Sequence, residues 1–409
     1  MNKFLKEFKE RGYFYQCTDE NELSEFMNNN GVNAYIGFDS TAPSLHVGSL
    51  MQIMCLRLLQ KYGHRPIVLL GGGTTRIGDP SGKEETRKIL SEEQIKSNIE
   101  SIKKVFEIFL KSDDKNLKPI FVNNNDWLGK LNYINFLRDI GKHFTINKML
   151  SFDSVKIRLE REQSLSYMEF NYMILQAYDF LELNKKNNCN LQIGGSDQWG
   201  NIVNGVELIK RYSGKKTFGL TTPLLTTSSG TKMGKTEDGA IWLDKKMLKS
   251  YDYWQFWRNT DDKDVIKFLK MFTDIELSEI EKVKNENIND LKILLADHTT
   301  TMLHGKDAAD KAKETAINIF NKGIIGDEIP HFKIKDIDLN KKLNIIELIL
   351  VTKLFKSKSD VRRAIKDKGI KVNNMILKDD KLIVNKDLFK DQKCKISFGK
   401  KKHAIIEID

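Results

Sequence analysis

The chain has 409 residues, of which 40% are hydrophobic and 30% charged, and its formal net charge is +11 at pH 7. This length allows two or three domains with hydrophobic cores, and the composition is ordinary for a globular protein. No run of about 18 or more apolar residues occurs, so neither a membrane span nor a membrane partner is expected. The first ten residues have no apolar h-region and include acids, unlike a transit peptide, so a cytoplasmic protein is expected.

Four isolated cysteines complete the composition, with no CxxC pair and no histidine pair at metal-ligand spacing. A disulfide framework and a protein-bound structural metal are therefore not expected.

Short apolar strands alternate with helical segments through the first half of the chain. Helical spacing covers residues 1–30, 50–62 and 96–110, whereas strands are predicted at 34–36, 66–70, 120–122 and 191–193. This alternation predicts an α/β fold with a Rossmann-like parallel sheet. Residues 130–185 are mostly helical and can form an insertion between the two halves of the sheet, and residues 246–325 are helical again.

The excess positive charge lies in the last sixth of the chain. Residues 341–409 contain 19 Lys and Arg against 9 Asp and Glu, a net of +10, which leaves only +1 for the first 340 residues. A Lys-rich solvated surface is one interpretation. Since the segment also alternates apolar with polar residues, we favour a folded module that binds RNA phosphates.

A strand, a turn and a helix start follow each other between Asn33 and Ser49. The helix opens at His46-Val47-Gly48-Ser49, where unpaired backbone N–H groups and the positive end of the dipole favour an anion. Gly48 allows a ring or a phosphate to approach the backbone. A satisfied structural histidine is the alternative for His46.

A second segment, residues 228–236, is a glycine-interrupted loop with Lys232 and Lys235 three positions apart. Two such lysines can close over a polyphosphate and stabilise the charge of a transition state. A solvated basic loop is the alternative if the segment stands alone.

Together the two segments resemble the HIGH and KMSKS signatures of class I aminoacyl-tRNA synthetases, and in detail the bacterial-type tyrosyl-tRNA synthetases. Further matching segments are Tyr35-x-Gly-Phe-Asp39-x-Thr41, Ile77-Gly-Asp-Pro-Ser-Gly-Lys83, Tyr172-x-x-x-Gln176-x-x-Asp179 and Gly194-Gly-Ser-Asp-Gln-Trp-Gly200. Residues 357–373 resemble an S4-like RNA-binding domain. The resemblance covers essentially the whole chain in the family's order.

The resemblance implies the attachment of tyrosine to its tRNA through a tyrosyl adenylate, with ATP as substrate, Mg²⁺ carried by ATP and pyrophosphate released. It implies tyrosine binding by Tyr35, Asp79, Tyr172, Gln176, Asp179, Gln192 and Gln198. It implies ATP binding by Asp39, Gly48, Ser49, Asp197, Met233 and Gly234, and catalysis on the phosphates by Thr41, His46, Lys83, Arg87, Lys232, Lys235 and Thr236. It implies RNA binding by Lys356, Lys358, Arg362, Arg363 and Lys371.

The resemblance implies a homodimer that meets at the helical insertion, and the expected domain organisation has four parts. They are a catalytic domain at 1–225 with its insertion at about 125–185, a loop linker at 226–245, an α-helical tRNA-binding domain at 246–328 and a small α+β S4-like domain at 340–409.

Three positions depart from the two signatures. Ser49 replaces the second histidine of HIGH, and Gly234 and Thr236 replace the two serines of KMSKS. Both lysines of the loop remain, so the departures bear on rates and not on the reaction.

Three other functions were compared with this one. A tryptophanyl enzyme needs no Tyr35/Asp179 pair and lacks the S4-like tail. A non-catalytic RNA-binding protein leaves the tyrosine-site and phosphate-site residues unexplained, and another nucleotidylyltransferase leaves the basic carboxy-terminal module unexplained.

Overall fold

Six strands form the main sheet of the computed structural model. They are β1 (Gln16–Cys17), β2 (Asn33–Phe38), β3 (Arg65–Leu70), β4 (Ile120–Asn123), β5 (Cys189–Gly195) and β6 (Phe218–Thr222). Their order across the sheet is β1-β6-β5-β2-β3-β4, and all neighbours are parallel except β1 and β6. The predicted Rossmann-like α/β sheet is confirmed. Two strands were not predicted: β1 has only two residues and no periodicity to read, and β6 (FGLTT) shows no alternation of apolar and polar residues.

The structure describes residues 1–80, 90–228, 230, 233–236, 239–322, 330–334, 343–389, 392–399 and 402–408. The chain divides into two compact units. The first comprises Met1–Leu248 and Trp257–Leu303, and the second comprises Lys249–Phe256 and His304–Asp409.

Helices make up most of the remaining described chain. In order they are α1 (Lys3–Glu10), α2 (Glu20–Asn29), α3 (Val47–Lys61), α4 (Glu92–Phe109), α5 (Asn125–Leu128), α6 (Tyr133–Asp139), α7 (Ile146–Leu150), α8 (Asp153–Glu160), α9 (Tyr167–Asn187), α10 (Trp199–Ser213), α11 (Ser250–Arg258), α12 (Val265–Phe272), α13 (Leu277–Val283), α14 (Ile288–His304), α15 (Lys306–Lys322), α16 (Ile345–Val351) and α17 (Lys358–Lys366). None of these helices is long and apolar enough to cross a membrane within the described ranges.

The order in which the chain adds strands to the sheet reverses at β2, which lies between β3 and β5 and runs parallel to both. The β2–α3–β3 connection leads to one side of β2, whereas β5 and β6 lie on the other side. Ligands of open parallel sheets bind at such a switch, beyond the carboxyl ends of the strands. The register pairs Tyr35 of β2 with Gln192 of β5, so two residues 157 positions apart become neighbours at this point.

Helix α9 begins and ends with strong local signals. Ser166 and Glu169 form a reciprocal capping box at its start, and Asn188 ends it in the left-handed conformation with a φ of 47°. Its apolar residues pack with the sheet side chains in one buried cluster that includes Phe180, Leu181 and Leu183. This packing presents the face with Tyr172, Gln176 and Asp179 to the end of the sheet.

The second unit contains its own sheet, β11-β10-β12-β13-β9, built from β9 (His331–Ile334), β10 (Ile370–Val372), β11 (Met375–Ile376), β12 (Lys393–Phe398) and β13 (Lys402–Ile408). Helices α16 and α17 pack on it through a buried aliphatic core. This arrangement is a small α+β module, as the fold class predicted. In the first unit, β7 (Lys235–Thr236) and β8 (Gly239–Ala240) form a separate two-stranded ribbon.

Candidate functional site

A cavity of about 410 Å³ lies beyond the carboxyl ends of β2 and β5, at the switch in the sheet. Thirteen predicted site residues line it. They are Tyr35, Asp39, Thr41, His46, Gly48, Ser49, Asp79, Tyr172, Gln176, Asp179, Gln192, Asp197 and Gln198. Residues from five separate segments of the sequence thus face one volume, large enough for a small ligand.

The remaining predicted residues of this site are placed differently. Lys83, Arg87 and Lys232 lie outside the described residues, and Lys235 and Thr236 are described only as the backbone of β7. Met233 and Gly234 do not line the cavity, but they contact Gly48 at its edge.

One end of the cavity reaches Tyr35 and Asp179, both almost completely buried. The Tyr35 ring packs against Phe180 at 5.3 Å between centroids, and its hydroxyl has no hydrogen-bond partner among the described residues. A buried hydroxyl without a partner is costly unless a ligand pairs with it. The buried side-chain oxygen of the neighbouring Gln192 also has no hydrogen-bond partner among the described residues. This end is suited to a ligand with a flat ring and one polar tip.

Asp179 is held by two donors that the sequence did not single out. The indole N–H of Trp127 donates to Oδ1 at 2.7 Å, and the amide of Asn124 donates to Oδ2 at 2.9 Å. Burial raises the pKa of Asp179 to about 7, these two hydrogen bonds oppose the rise, and the nearby charge of Asp39 adds to it. The carboxyl is therefore a strong acceptor that is only partly ionised near neutral pH.

A hydrogen-bonded network joins Asp179 to Asp39. Asn124 also donates to Oγ1 of Thr74 at 3.0 Å, and that hydroxyl donates to Oδ1 of Asp39 at 2.8 Å. The hydroxyl of Tyr172 donates to the other oxygen of Asp39 at 3.2 Å. The carboxylate of Asp39, which follows β2, and that of Asp179, on α9, are thereby fixed around one end of the cavity.

A second network orients the polar side chains beside it. Gln198 donates to Oδ2 of Asp79 at 2.9 Å, and Asn201 donates to the amide oxygens of Gln198 and Gln176 at 3.0 and 3.1 Å. The carboxylate of Asp79, the two amides and Tyr172 together suit an amino-acid backbone, which carries both an ammonium and a carboxylate.

The start of α3 forms the other end of the cavity. Nδ1 of His46 accepts from the N–H of Gly48 at 3.0 Å, so the neutral imidazole carries its proton on Nε2. His46 is also bridged to Trp242 in an antiparallel backbone pair. The helix start thus combines backbone N–H groups with an imidazole donor, which is the chemistry that binds phosphates.

The two glycine positions explain why the signature-like segments meet. A Cβ on Gly48 would lie 2.6 Å from Cε1 of His46 and 2.9 Å from the carbonyl oxygen of Met233. Gly234 has a φ of +100°, and a Cβ there would lie 2.6 Å from the backbone nitrogen of Gly48. A serine at position 234 would be strained in this conformation. The departure of Gly234 from the signature is therefore consistent with the close contact between the two segments.

Sequence reasoning missed several residues that shape the site, namely Thr74, Asn124, Trp127 and Asn201. A signal was present for two of them, because Asn123-Asn-Asn-Asp-Trp127 directly follows β4, at the edge of the sheet where ligands bind. Nothing in the sequence showed that its side chains turn toward α9.

The predicted RNA-binding residues lie in the second unit. Lys356, Lys358, Arg362, Arg363 and Lys371 are all exposed, on or beside α17 and β10. Lys358 forms an ion pair with Glu347 at 2.8 Å. Across the described residues of both units, no cluster of three or more His, Cys, Asp or Glu side chains could hold a metal ion.

Comparison with known proteins identifies the class. The family model for tRNA synthetases class I (W and Y) matches residues 27–321. The chain shares 66% identity over 408 residues with Tyrosine–tRNA ligase of Pelagibacter ubique (strain HTCC1062), covering all of both chains. It shares 50% identity over 410 residues with that of Rickettsia conorii (strain ATCC VR-613 / Malish 7), covering 99% of this chain and all of the relative.

A solved structure agrees with these relatives. The C-terminally truncated mitochondrial tyrosyl-tRNA synthetase of Aspergillus nidulans superposes with a TM-score of 0.70 at 34% identity, over 78% of this chain and 94% of that one. The chain therefore belongs to the class I tRNA synthetases, and within them to the tyrosine–tRNA ligases.

Proposed function

We propose that the cavity at the sheet switch joins tyrosine to ATP and then transfers the tyrosyl group to tRNA(Tyr). The tyrosine carboxylate attacks the α-phosphate of ATP, pyrophosphate leaves, and the 3′-terminal ribose hydroxyl of the tRNA displaces AMP from the adenylate. The observation that carries this proposal is one cavity with a ring-and-hydroxyl end at Tyr35 and Asp179 and a helix start at His46–Ser49.

The phenol of the substrate is proposed to lie between Tyr35 and Asp179. The Tyr35 hydroxyl, which has no partner in the part of the chain that the structure describes, donates to the phenolic oxygen, and the Asp179 carboxylate accepts from the phenolic O–H. Phenylalanine would leave both protein groups without a hydrogen-bond partner in a buried site. Leaving a buried polar group unpaired costs more free energy than a typical hydrogen bond contributes. Gln192 supplies a further polar group beside the ring.

The amino-acid backbone of tyrosine is proposed to lie against Asp79, Tyr172, Gln176 and Gln198. The charge of Asp79 favours the ammonium, and Asn201 keeps the two amides oriented. Holding the ammonium turns the carboxylate toward the start of α3, and such positioning lowers the entropic part of the barrier.

ATP is proposed to bind with its phosphates at the start of α3, with Asp39, Gly48, Ser49, Asp197, Met233 and Gly234 around the nucleotide. Thr41 and His46 donate to the phosphates, and Lys83, Arg87, Lys232, Lys235 and Thr236 add donors and positive charge from the adjoining segments. Mg²⁺ enters with ATP as part of the substrate. The residues stabilise charge that develops on the leaving pyrophosphate, and no covalent nucleophile is needed.

The second unit is proposed to hold tRNA(Tyr) as an S4-like domain through Lys356, Lys358, Arg362, Arg363 and Lys371. Their exposure and the concentration of net positive charge in residues 341–409 support contacts with RNA phosphates. The helices between residues 246 and 328 are proposed to contact the same tRNA. We expect this reaction to take place in the cytoplasm.

A homodimer is proposed to form through the helical insertion. Large apolar side chains are exposed on α6 to α9, namely Tyr133, Ile134, Leu137, Ile146, Leu150, Ile157, Leu159, Tyr167 and Met168. An apolar concentration of this kind on one insertion marks a protein–protein interface.

ATP–pyrophosphate exchange without tRNA tests the proposal. Tyrosine should support exchange, whereas tryptophan and phenylalanine should not. Exchange with tryptophan would show that the ring pocket was misassigned. No exchange with any amino acid, from protein whose fold is verified by circular dichroism, would favour the non-catalytic RNA-binding alternative.

A further inference from the structure

The KMSKS-type loop, residues 228–236, is held at its first residue by a side chain from another element. The backbone N–H of Ser228 donates to Oδ2 of Asp264 at 2.8 Å. Asp264 is only 5% exposed, and 36 positions separate the two residues. The hydrogen bond is only partly buried, because Ser228 is exposed, whereas its acceptor Asp264 is held among buried residues.

The position of Asp264 makes this contact unusual. It occupies the N-cap of α12, where an aspartate commonly accepts from the N–H groups of its own helix. Its side chain makes no capping bond to α12. The carboxylate is instead directed to the backbone of the loop, which is a use that the local helix does not require.

A second side chain from the same helix contacts the chain just before the loop. Nζ of Lys267 donates to the carbonyl oxygen of Thr226 at 3.2 Å. Residues three apart lie on one face of a helix. Asp264 and Lys267 therefore hold a backbone donor at Ser228 and a backbone acceptor at Thr226, where the chain enters the loop.

Helix α12 is itself firmly anchored at its other end. The guanidinium of Arg11 donates to the carbonyl oxygens of Lys270, Thr273 and Ile275 at 2.8 to 3.0 Å, and Tyr13 donates to that of Met271. Arg11 is buried and is paired with Glu7 at 2.7 Å. The helix is thus a fixed support for the loop.

The chain after the loop is attached to the cavity directly. The N–H of Ile241 donates to the carbonyl of Gly234, and the N–H groups of Val47 and Leu243 exchange backbone hydrogen bonds with Ile241 and Leu45. The end of the loop is therefore bonded to the segment that carries His46. The start of the loop is hydrogen-bonded to Asp264 and Lys267.

We propose that Asp264 is a positioning residue for adenylate formation. By fixing Ser228, it sets where the loop begins and hence where its lysines can reach the phosphates of ATP. The inference rests on the proposed function of the loop and adds a residue outside the cavity to it. Asp264 touches no substrate, so its loss should slow the phosphate chemistry and leave tyrosine binding intact.

The test compares Asp264→Ala with Asp264→Asn and Asp264→Glu in the full chain. The rate of adenylate formation is measured by rapid quench at varied ATP, and tyrosine affinity by equilibrium dialysis without ATP. Asp264→Ala should slow adenylate formation by about 10- to 100-fold, the range expected for a misplaced reacting group. Its tyrosine Kd should change by less than about twofold, because the tyrosine end of the cavity is untouched.

The other variants separate positioning from folding. Asp264→Asn keeps an oxygen acceptor for Ser228 and should restore most of the rate. Asp264→Glu keeps the charge but displaces the acceptor by one methylene, so its adenylate formation should be slow. This variant tests the positioning role if Asp264→Ala does not fold. Asp262→Ala is the control, since Asp262 lies in the same turn, is 67% exposed and pairs only with Lys292 among the contacts described.

Wild-type rates in Asp264→Ala and Asp264→Glu would overturn the inference, as would equal losses of tyrosine affinity and rate. The proposed function fails separately, if the unmodified chain gives no tyrosine-dependent pyrophosphate exchange.

Discussion

The indole N–H of Trp127 lies 2.7 Å from Oδ1 of Asp179, and both side chains are buried. The contact joins the turn after β4 to the middle of α9. It keeps the carboxyl of Asp179 in one orientation, in the cavity that also contains the Tyr35 hydroxyl. The proposed recognition of tyrosine by Asp179 thus involves Trp127, a residue that does not line the cavity.

Tyrosine affinity should depend on pH around neutrality. Burial raises the pKa of Asp179 to about 7, so the carboxyl is largely protonated at pH 6 and ionised at pH 8. The ionised form is the stronger acceptor for a phenolic O–H. The tyrosine Kd, measured by equilibrium dialysis without ATP, should fall several-fold from pH 6 to pH 8, and a flat profile would contradict this role.

The same pKa has a consequence for stability. A carboxyl with a raised pKa in the folded state contributes stability below its ordinary pKa and loses it as the pH rises through about 7. The proposed hydrogen bond from the phenolic O–H of bound tyrosine stabilises the ionised carboxylate of Asp179. The rise in Tm produced by saturating tyrosine should therefore be larger at pH 8 than at pH 6.

Replacing Trp127 by phenylalanine should move the pH profile. The substitution removes a hydrogen bond that lowers the pKa of Asp179, so the midpoint of tyrosine binding should shift to higher pH. The ring volume is largely kept, which limits the packing loss. Trp242→Phe, which alters a tryptophan beside His46, is the matched control and should leave the midpoint of the tyrosine profile unchanged.

Tyr35→Phe should separate recognition from stability. The hydroxyl has no hydrogen-bond partner within the described ranges of the chain, so its removal should not lower the Tm. Loss of one hydrogen bond to the substrate should weaken tyrosine binding by about 10-fold, and the variant should discriminate less strongly against phenylalanine. Tyr15→Phe, at an exposed position, serves as the control. Unchanged tyrosine affinity would place the phenol elsewhere.

Ending the chain at Lys322 should divide the two steps of the reaction. The truncated chain lacks the basic module, so tRNA charging at limiting tRNA should fall by about 100-fold or more. Tyrosine-dependent pyrophosphate exchange should remain, because the cavity is built entirely within residues 35–225. Loss of both activities from folded protein would contradict this division of roles.

In the full chain, the KM for tRNA should rise steeply with salt.

Ile134→Glu should dissociate the proposed dimer. Ile134 is 69% exposed on α6, and a carboxylate placed in an apolar interface has no partner there. Sedimentation velocity should show the variant as a monomer at concentrations where the unmodified chain is dimeric. Met375→Glu, at a position 70% exposed in the second unit, is the control and should leave the assembly unchanged.

Local patterns predicted four of the six strands of the main sheet and thirteen residues that line its cavity. The strands at 34–36 and 66–70 became β2 and β3 with one to three extra residues, because β propensity and alternation act over a few neighbours. Tyr172, Gln176 and Asp179 share a face of α9 because their spacing alone decides it. The phosphate segment at His46 and its helix start were equally readable from adjacent residues.

What the sequence by itself determined about this protein is therefore the identity of the chemical groups and the element on which each one lies. The tertiary structure decided which groups meet. The register of β2 with β5 places Gln192 beside Tyr35, and the turn after β4 brings Trp127 and Asn124 to Asp179. Burial, the raised pKa of Asp179 and the attachment of Ser228 to Asp264 follow from contacts between residues far apart in the chain, for which local periodicity holds no information.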